Sequence, residues 1–191
     1  MEDKKKPLLI VISGPSGVGK QTVAAELLKI MPELKVSISA TTRKPRAGEK
    51  NGVDYFFFDR ETFEKKIKEG FFVEYAEVHN NLYGTPINNI KEAISKGEKL
   101  FLVIDIQGGR KIKETFPCET LLFFIEPPSF STLYERLLKR GSESEDEIKK
   151  RLETAKVELS HRNWYDYIVI NDDPKKAALE IKNIILRERK K

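Results

Sequence analysis

The sequence predicts an α/β fold in which helices cover both faces of a parallel sheet. Four short runs are apolar at every position, which is typical of parallel strands that are buried on both faces. Segments with apolar residues at helical spacing separate these runs, and this alternation indicates βα units. The four predicted strands are residues 8–12, 100–104, 121–125 and 167–170.

The predicted helices follow from the same alternation. After the first strand and a glycine-rich turn, apolar residues recur every three or four positions until Pro32 ends the helix. A closing helix is expected to begin near Pro174. Residues 129–163 predict two helices separated at Gly141, and residues 144–147 fit a capping box at the start of the second helix.

Residues 37–87 depart from this alternation. They contain a basic loop, aromatic strand segments around residues 55–58 and 72–78, and a turn at residues 80–81. This pattern predicts a small, partly antiparallel insertion into the parallel α/β fold.

The composition predicts one soluble globular domain, since 39% of the 191 residues are hydrophobic and 34% are charged. The single cysteine, Cys118, excludes an intramolecular disulfide and a cysteine-based zinc site. No apolar run reaches the roughly 18 residues that span a bilayer, and no secretory leader is recognised. We therefore expect a cytoplasmic protein with no membrane partner. The net charge of +5 suits anionic ligands without indicating nucleic acid, and no obligatory protein partner is predicted.

The turn after the first strand has the spacing of a phosphate-binding P-loop, with a strand before it and a helix after it. Its glycines let backbone N–H groups point at a phosphate, and Lys20 can reach the β- and γ-phosphates of a nucleotide. Gln21 stands where the pattern has Ser or Thr, so Mg²⁺ would be held either with help from Thr22 or mainly by phosphates and water. The predicted nucleotide-binding residues here are Gly14, Pro15, Ser16, Gly17, Val18, Gly19, Lys20, Gln21 and Thr22.

A second candidate anion site lies in the loop at residues 37–49, which presents Arg43 and Arg46 close together. Two guanidinium groups can bind one phosphate, and the hydroxyl of Tyr55 can add a further donor. Taken alone, two arginines in such a loop would more often indicate a solvated surface.

Taken together, the motifs of this chain resemble those of guanylate kinases over residues 8–185. The motifs are the P-loop, Ser-x-Ser-x-Thr-Thr-Arg-x-Pro-Arg-x-Gly-Glu at 37–49, Asp-Tyr-Phe-Phe at 54–57, Glu74, Tyr-Gly-Thr at 83–85, Asp-Ile-Gln-Gly at 105–108 and Asn-Asp-Asp at 171–173. The resemblance implies an enzyme that uses Mg²⁺ and transfers the γ-phosphoryl group of ATP to GMP, with dGMP as a further acceptor.

The resemblance also implies a P-loop nucleoside monophosphate kinase fold, a single domain over residues 1–191 with three parts. A parallel sheet flanked by helices forms the core, a small mixed α+β insertion binds GMP, and a helical lid covers ATP. The expected limits are 1–36, 88–128 and 164–191 for the core, 37–87 for the GMP-binding region and 129–163 for the lid.

The resemblance assigns site residues by motif position. The phosphate of GMP would be held by Arg43, Arg46, Tyr55 and Tyr83, and guanine by Ser39, Glu74, Thr85 and Asp105. Arg136, Arg140 and Arg151 match lid arginines that contact the transferring phosphates, and Asn171 matches a residue near the adenine of ATP. The residues implied in catalysis are Lys20, Arg43, Arg136, Arg140 and Arg151, while Thr22 and Asp105 would contact Mg²⁺ mostly through water.

The chemistry of guanine fits the assignment of Glu74. Guanine offers two adjacent donors, N1–H and the 2-amino group, which one carboxylate can accept together. Adenine has no N1–H, so a buried Glu74 would stay partly unpaired and would discriminate against AMP. On strand alternation alone, Glu74 is equally consistent with an outward-facing carboxylate.

Several assignments have alternatives. The lid arginines could form surface ion pairs with neighbouring glutamates, and Asn171 could belong to a strand-end turn in which Asp172 and Asp173 cap the last helix. Val103 stands where many family members have an acid, which leaves the geometry of Mg²⁺ open. For the whole chain, the competing functions are a scaffold-type binding module and a P-loop kinase for another acceptor.

Four further residues are predicted to be structural. His79 and His161 have no partner at metal-ligand spacing. Trp164 and Tyr165 precede a strand and are expected to pack rather than to stack on a base. Cys118 has no basic neighbour that would activate a thiol, so a catalytic cysteine is not expected.

Overall fold

The computed structural model describes residues 9–78, 80–139 and 145–188. In this part of the chain the strands are β1 (Leu9–Ser13), β2 (Lys35–Val36), β3 (Ala40–Thr41), β4 (Phe56–Phe57), β5 (Phe72–Val78), β6 (Asn81–Pro86), β7 (Leu100–Val103), β8 (Thr120–Glu126) and β9 (Tyr167–Ile170). The helices are α1 (Lys20–Ile30), α2 (Arg60–Lys68), α3 (Ile87–Lys96), α4 (Ile106–Thr115), α5 (Phe130–Lys139), α6 (Glu145–Ser160) and α7 (Pro174–Glu188), with a 3₁₀ turn at Arg162–Trp164. None of these helices has the length and apolar character that crossing a membrane requires.

The central sheet is parallel and has β1 in its middle. Its strand order is β2-β7-β1-β8-β9. β1 is hydrogen-bonded to β7 on one side and to β8 on the other, and all five of its residues are buried. The prediction of a parallel sheet built from continuous apolar runs is confirmed.

Helices cover both faces of the sheet around β1. Ile10 and Ile12 belong to a buried cluster that includes residues of α1 and α7. Leu9 and Val11 belong to a second cluster that includes residues of α3 and α4. Because successive side chains of a strand point to opposite faces, these two clusters are the two sides of one core.

The edge strand β9 differs from the predicted pattern. Val169 is buried in the cluster that contains α7, but Ile168 and Ile170 on the other face are 42% and 56% exposed. β9 therefore has a covered face and an open face, although its sequence is as apolar as that of the central strands.

The predicted insertion forms a second, smaller sheet with the strand order β4-β3-β6-β5. β6 is antiparallel to both β3 and β5, while β3 and β4 are parallel. Phe63 of α2 is fully buried against Ala40 and Leu82 of this sheet. The mixed α+β architecture is confirmed, and the exact limits of the region at 37 and 87 stay a prediction.

The two predicted lid helices are present as α5 and α6, and they pack on the core. Leu137 of α5 and Ala155 of α6 are buried in the same cluster as Val18 of the P-loop. Three residues named in the sequence analysis lie outside the described residues. They are the lid arginine Arg140, the predicted helix stop Gly141 and the first residue of the capping box, Ser144.

Gly14, which directly follows β1, has no room for a side chain. Its φ angle is +150°, and a Cβ atom there would lie 2.4 Å from the carbonyl oxygen of Ile125 in β8. Because that oxygen belongs to a central strand and cannot move aside, we expect Gly14→Ala to lower the free energy of unfolding by at least about 3 kcal/mol.

The matched control is Gly97→Ala. Gly97 also has a positive φ angle, +65°, but nothing lies within 4 Å of an added Cβ atom. This variant should lose only about 1 kcal/mol, the cost of the backbone conformation alone. Urea unfolding followed by circular dichroism measures both losses, and equal losses would contradict the steric argument.

Candidate active site

The P-loop connects β1 to α1, and three glycines shape it. Gly14, Gly17 and Gly19 have φ angles of +150°, +86° and +94°. Gly19 is the N-cap of α1 and has no side chain that could accept the N–H groups of the first turn. These donors and the positive end of the helix dipole form a site for an anion. Lys20 lies along the loop, where Nζ donates to the carbonyls of Gly14 at 2.6 Å and Pro15 at 3.1 Å.

Neighbouring elements hold the P-loop tightly. An added Cβ atom at Gly17 would lie 2.7 Å from Cδ2 of Leu137, and one at Gly19 would lie 2.6 Å from Nδ2 of Asn171. Asn171 is 2% exposed and donates from Nδ2 to the carbonyl of Val18 at 2.7 Å. Asn171 therefore holds the P-loop through the Val18 carbonyl, and its contact with adenine stays a prediction.

The turn that follows β9 also caps the last helix, which was the alternative interpretation of residues 171–173. Oδ1 of Asp173 accepts the backbone N–H groups of Lys175 at 2.8 Å and Lys176 at 3.0 Å. Asp173 thus caps α7, and this cap fixes the turn that positions Asn171 against the P-loop.

Two of the three predicted lid arginines contact the P-loop or the turn beside it. Nη1 of Arg151 donates to Oγ of Ser16 at 3.4 Å. Arg136 donates from Nη1 to the carbonyl of Val18 at 3.3 Å and from Nη2 to that of Asn171 at 2.9 Å. Arg151 thus meets the P-loop at the Ser16 side chain, and Arg136 meets it at the Val18 carbonyl.

Glu158 of α6 also reaches the P-loop, although the sequence analysis did not single it out. Its Oε2 accepts the backbone N–H of Ser16 at 3.1 Å. Burial raises the pKa of Glu158, against the opposing effects of the Ser16 N–H and the Lys20 ammonium. The signal in the sequence was the spacing, because Glu158 follows Arg151 by two helical turns and shares its face of α6.

The second predicted anion site gathers Arg43, Tyr55 and Tyr83. The Arg43 guanidinium lies 5.5 Å from the ring centroid of Tyr55, and the rings of Tyr55 and Tyr83 meet edge to face at 6.2 Å. Oε1 of Glu49 accepts from Nη2 of Arg43 at 2.8 Å, and Oε2 accepts the backbone N–H of Arg46 at 2.7 Å. The bond between Arg43 and Glu49 raises the pKa of Arg43 and lowers that of Glu49.

Glu74 and Thr85 pair across β5 and β6. The two residues are directly opposite in the register, and Oγ1 of Thr85, which is fully buried, donates a short hydrogen bond to Oε1 of Glu74. A Cβ atom added to Gly108 of α4 would lie 2.9 Å from Oε2 of Glu74. The carboxylate therefore faces inward, between the small sheet and the core, rather than outward.

The surroundings of Glu74 make its charge costly. Burial raises the pKa of Glu74 to about 7, the hydrogen bonds from Thr85 lower it, and the nearby Asp105 carboxylate raises it. Asp105 caps α4, because its Oδ1 accepts the N–H of Gly108 at 2.8 Å. Ser39, just before β3, is held by the bond from the N–H of Phe56 to its carbonyl at 2.9 Å.

A cleft of about 1250 Å³ opens beside the P-loop, between β5, α4 and α6. It is lined by Ser16 of the P-loop, Asp105 just after β7, and Arg151 and Glu158 of α6. Because both β1 and β7 end at this cleft, it lies at the carboxyl edge of the parallel sheet, where α/β folds bind their ligands. Its size is sufficient for nucleotide ligands.

Of the residues predicted to be structural, Tyr165 packs in the core, whereas Trp164 is 42% exposed and lines the cleft together with His161. The ring of Trp164 lies 4.1 Å from that of His161 and 4.4 Å from the Arg110 guanidinium. His79 lies outside the described residues.

Three features of this structure define a nucleoside monophosphate kinase of the P-loop class. They are a P-loop at the carboxyl edge of a parallel sheet, a small inserted sheet that presents arginines, and a pair of helices packed over the P-loop. The sequence model of guanylate kinase matches residues 5–188. The chain belongs to the guanylate kinase family, the enzymes that transfer the γ-phosphoryl group of ATP to GMP.

Curated relatives and a solved structure agree with this family. Guanylate kinase of Clostridioides difficile is 48% identical over 187 residues, which cover 98% of this chain and 91% of that protein. Guanylate kinase of Caldanaerobacter subterraneus subsp. tengcongensis is 49% identical over 189 residues, 99% of this chain and 91% of that protein. The crystal structure of guanylate kinase from Anaplasma phagocytophilum has a TM-score of 0.80 at 38% identity and covers 98% of this chain and 88% of its own. The predicted fold and reaction are confirmed.

The burial of Glu74 predicts an unusual titration. In carbon NMR of the protein alone, the Glu74 carboxyl should titrate near pH 7 rather than near its ordinary pKa of 4.5. Thr85→Val should raise this pKa further, because it removes a donor to the ionised form. Asp105→Asn should lower it, because it removes a neighbouring negative charge.

The opposite directions of these two variants are the internal control. A Glu74 carboxyl that titrated near pH 4.5, or two variants that shifted its pKa in the same direction, would contradict the described environment.

Proposed function

We propose that Glu74, Thr85, Asp105 and Ser39 bind the guanine of GMP. The supporting observation is the Glu74 carboxylate, which is largely buried between β5 and α4, bonded to Thr85 and near Asp105. The N1–H and 2-amino groups of guanine are adjacent donors that one carboxylate can accept. AMP offers no N1–H, and sites built on such pairing reject the wrong analogue by roughly 10⁴-fold or more.

The phosphate of GMP is proposed to bind to Arg43, Arg46, Tyr55 and Tyr83. The carboxylate of Glu49 already accepts hydrogen bonds from the Arg43 guanidinium and from the backbone N–H of Arg46. A phosphate could take its place at the guanidinium and accept further bonds from the tyrosine hydroxyls. In this exchange the phosphate replaces one anion at the Arg43 guanidinium with another.

The phosphates of ATP are proposed to bind to residues 14–22, with Asn171 beside them. The P-loop glycines and the first turn of α1 supply N–H donors there. Lys20 now donates to two carbonyls of the same loop and would turn to the β- and γ-phosphates. A lysine ammonium can make this exchange because its donors rotate freely on a flexible stem.

Catalysis is proposed to depend on five cationic side chains around the transferred group: Lys20, Arg43, Arg136, Arg140 and Arg151. Phosphoryl transfer leaves little covalent chemistry to the protein, which mainly aligns the two nucleotides and neutralises charge. Arg43 would act from the GMP side, whereas Lys20 and the lid arginines would act from the ATP side. Arg151 already contacts Ser16, while Arg136 would have to leave three carbonyl partners.

Mg²⁺ is proposed to arrive bound to ATP. Among the described residues, no group of three or more His, Cys, Asp or Glu side chains is arranged to hold a metal ion. Asp105, which lines the cleft, and Thr22, which is exposed on the first turn of α1, fit contacts with the water shell of the ion. This arrangement suits Mg²⁺, which loses its water reluctantly and would neutralise phosphate charge.

The parts of the chain are proposed to move relative to one another during the reaction. Region 37–87 would act as the GMP-binding region and region 129–163 as the lid, both closing on the core to exclude water. We place the reaction in the cytoplasm, with ATP and GMP, and dGMP as a further acceptor. Neither nucleic acid nor a protein partner is required by this mechanism.

Base selection by Glu74 can be tested with an ADP-release assay that offers GMP, dGMP, AMP, CMP, UMP and TMP in turn. The unmodified chain should use GMP far better than AMP. Glu74→Gln should lower kcat/KM for GMP by about 10–10²-fold, because its amide places a donor against the donors of guanine. AMP should stay a poor substrate.

Glu69→Gln is the control, since Glu69 is an exposed glutamate at the end of α2. It should leave kcat/KM unchanged. An unchanged efficiency of Glu74→Gln with GMP would show that guanine binds elsewhere.

Phosphate binding by Arg43 can be tested separately. Arg43→Ala should raise KM for GMP by about 10–10²-fold, the effect of losing charge-assisted bonds, without changing the affinity for ATP. Arg60→Ala removes an exposed arginine of the same region that pairs with Glu64 and Glu77, and it should change neither value. Steady-state kinetics in both substrates gives these values; a loss confined to ATP would mean that the two nucleotide sites are assigned the wrong way round.

A further inference from the structure

The carboxylate of Glu158 accepts a hydrogen bond from a backbone N–H group of the P-loop. Oε2 of Glu158 accepts the backbone N–H of Ser16 at 3.1 Å, and Ser16 lies in the middle of the loop, between Gly14 and Lys20. Backbone N–H groups of such a loop are the donors that bind phosphate oxygens. An acceptor-only carboxylate therefore uses the same chemistry at this point as a phosphate would.

The surroundings of Glu158 act on its pKa in opposite directions, and the net effect raises it. The Ser16 N–H and the Lys20 ammonium both lower the pKa of Glu158, although burial has the larger effect and raises it, and Asp105 raises it as well. Glu158 lines the cleft together with Ser16 and Asp105. A second anion that entered the cleft at Ser16 would thus meet a carboxylate in direct contact.

Helix α6 presents a second, oppositely charged group to the same P-loop residue. Nη1 of Arg151 donates to Oγ of Ser16 at 3.4 Å. Arg151 and Glu158 are seven residues apart and lie on one face of α6. A polyphosphate at Ser16 would attract the first side chain and repel the second, so its binding would favour the contact of Arg151 with the loop over that of Glu158.

We propose that Glu158 competes with the phosphates of ATP for the N–H of Ser16 and must be displaced when ATP binds. Glu158 then sets the resting position of α6 against the P-loop and lowers the affinity for ATP. This inference rests on the proposal that the P-loop binds the phosphates of ATP.

The test compares binding of Mg²⁺–ATP and of adenosine in the absence of GMP, by calorimetry or NMR titration. Glu158→Gln keeps the shape of the side chain but removes its charge, and it should bind Mg²⁺–ATP about tenfold more tightly, the effect of losing one charge-assisted competitor. Adenosine has no phosphates, so its affinity should not change. Glu158→Ala, a second variant, should show the same difference between the two ligands.

Glu153→Gln is the matched control, because Glu153 is an exposed glutamate on the same helix. It should leave both affinities unchanged, and thermal unfolding of each variant checks that the fold is intact. A side chain that only anchors α6 would give a lower Tm with no gain in affinity for Mg²⁺–ATP, and that result would overturn the proposal. Equal gains for ATP and adenosine, or weaker ATP binding, would also overturn it. An unmodified chain that bound no Mg²⁺–ATP would overturn the ATP site itself, and this inference with it.

Discussion

The placement of β1 is the constraint on which the active site depends. β1 is buried at every position and hydrogen-bonded on both sides, so its direction and its end at Ser13 are fixed by the whole core. The P-loop must then leave the sheet beside Ile125 of β8, where only glycine fits at position 14. Asn171 and Leu137 close on the loop from two further elements. The backbone of the anion site is thus preorganised by packing, which reduces the cost of aligning its N–H donors when a ligand binds.

Donors that are aimed inward in this way attract acceptors from the chain itself. Glu158 bonds to the P-loop at Ser16, and Glu49 joins Arg43 to the backbone of Arg46. Each proposed phosphate site therefore already contains a carboxylate, which pairs with donors that are partly buried at Ser16 and Arg43. Ligand binding at either site becomes an exchange of anions, and its free energy is the difference between two favourable interactions. This exchange makes affinity depend on residues that do not contact the bound nucleotide.

The sequence predicts the elements that local residue patterns determine, and it does not predict the contacts that depend on long-range packing. Apolar runs and glycine spacing identify β1 and the P-loop, because burial on both faces and positive φ angles demand those residue types. The open face of β9 is not visible in its sequence, since coverage depends on which elements pack against the sheet. The bond from Ser16 to Glu158 spans 142 positions and requires a particular rotation of α6. Residue spacing predicts that Arg151 and Glu158 share one face of the helix, but it does not predict that this face contacts the P-loop.

The proposed base site illustrates how specificity can cost stability. A carboxyl whose pKa is raised to about 7 in the folded chain destabilises it most above pH 7, and the penalty disappears below its ordinary pKa of 4.5. For Glu74 the penalty is on the order of 3 kcal/mol at high pH, since each pKa unit corresponds to about 1.4 kcal/mol. Two donors from guanine, each contributing about 1.5–3 kcal/mol to a charged acceptor, can offset it. Adenine supplies no such pair, so it would leave Glu74 either unpaired or protonated. If guanine binds here as proposed, discrimination follows from the burial that makes the charged carboxylate unfavourable, and Thr85 already donates to Glu74 before the base arrives.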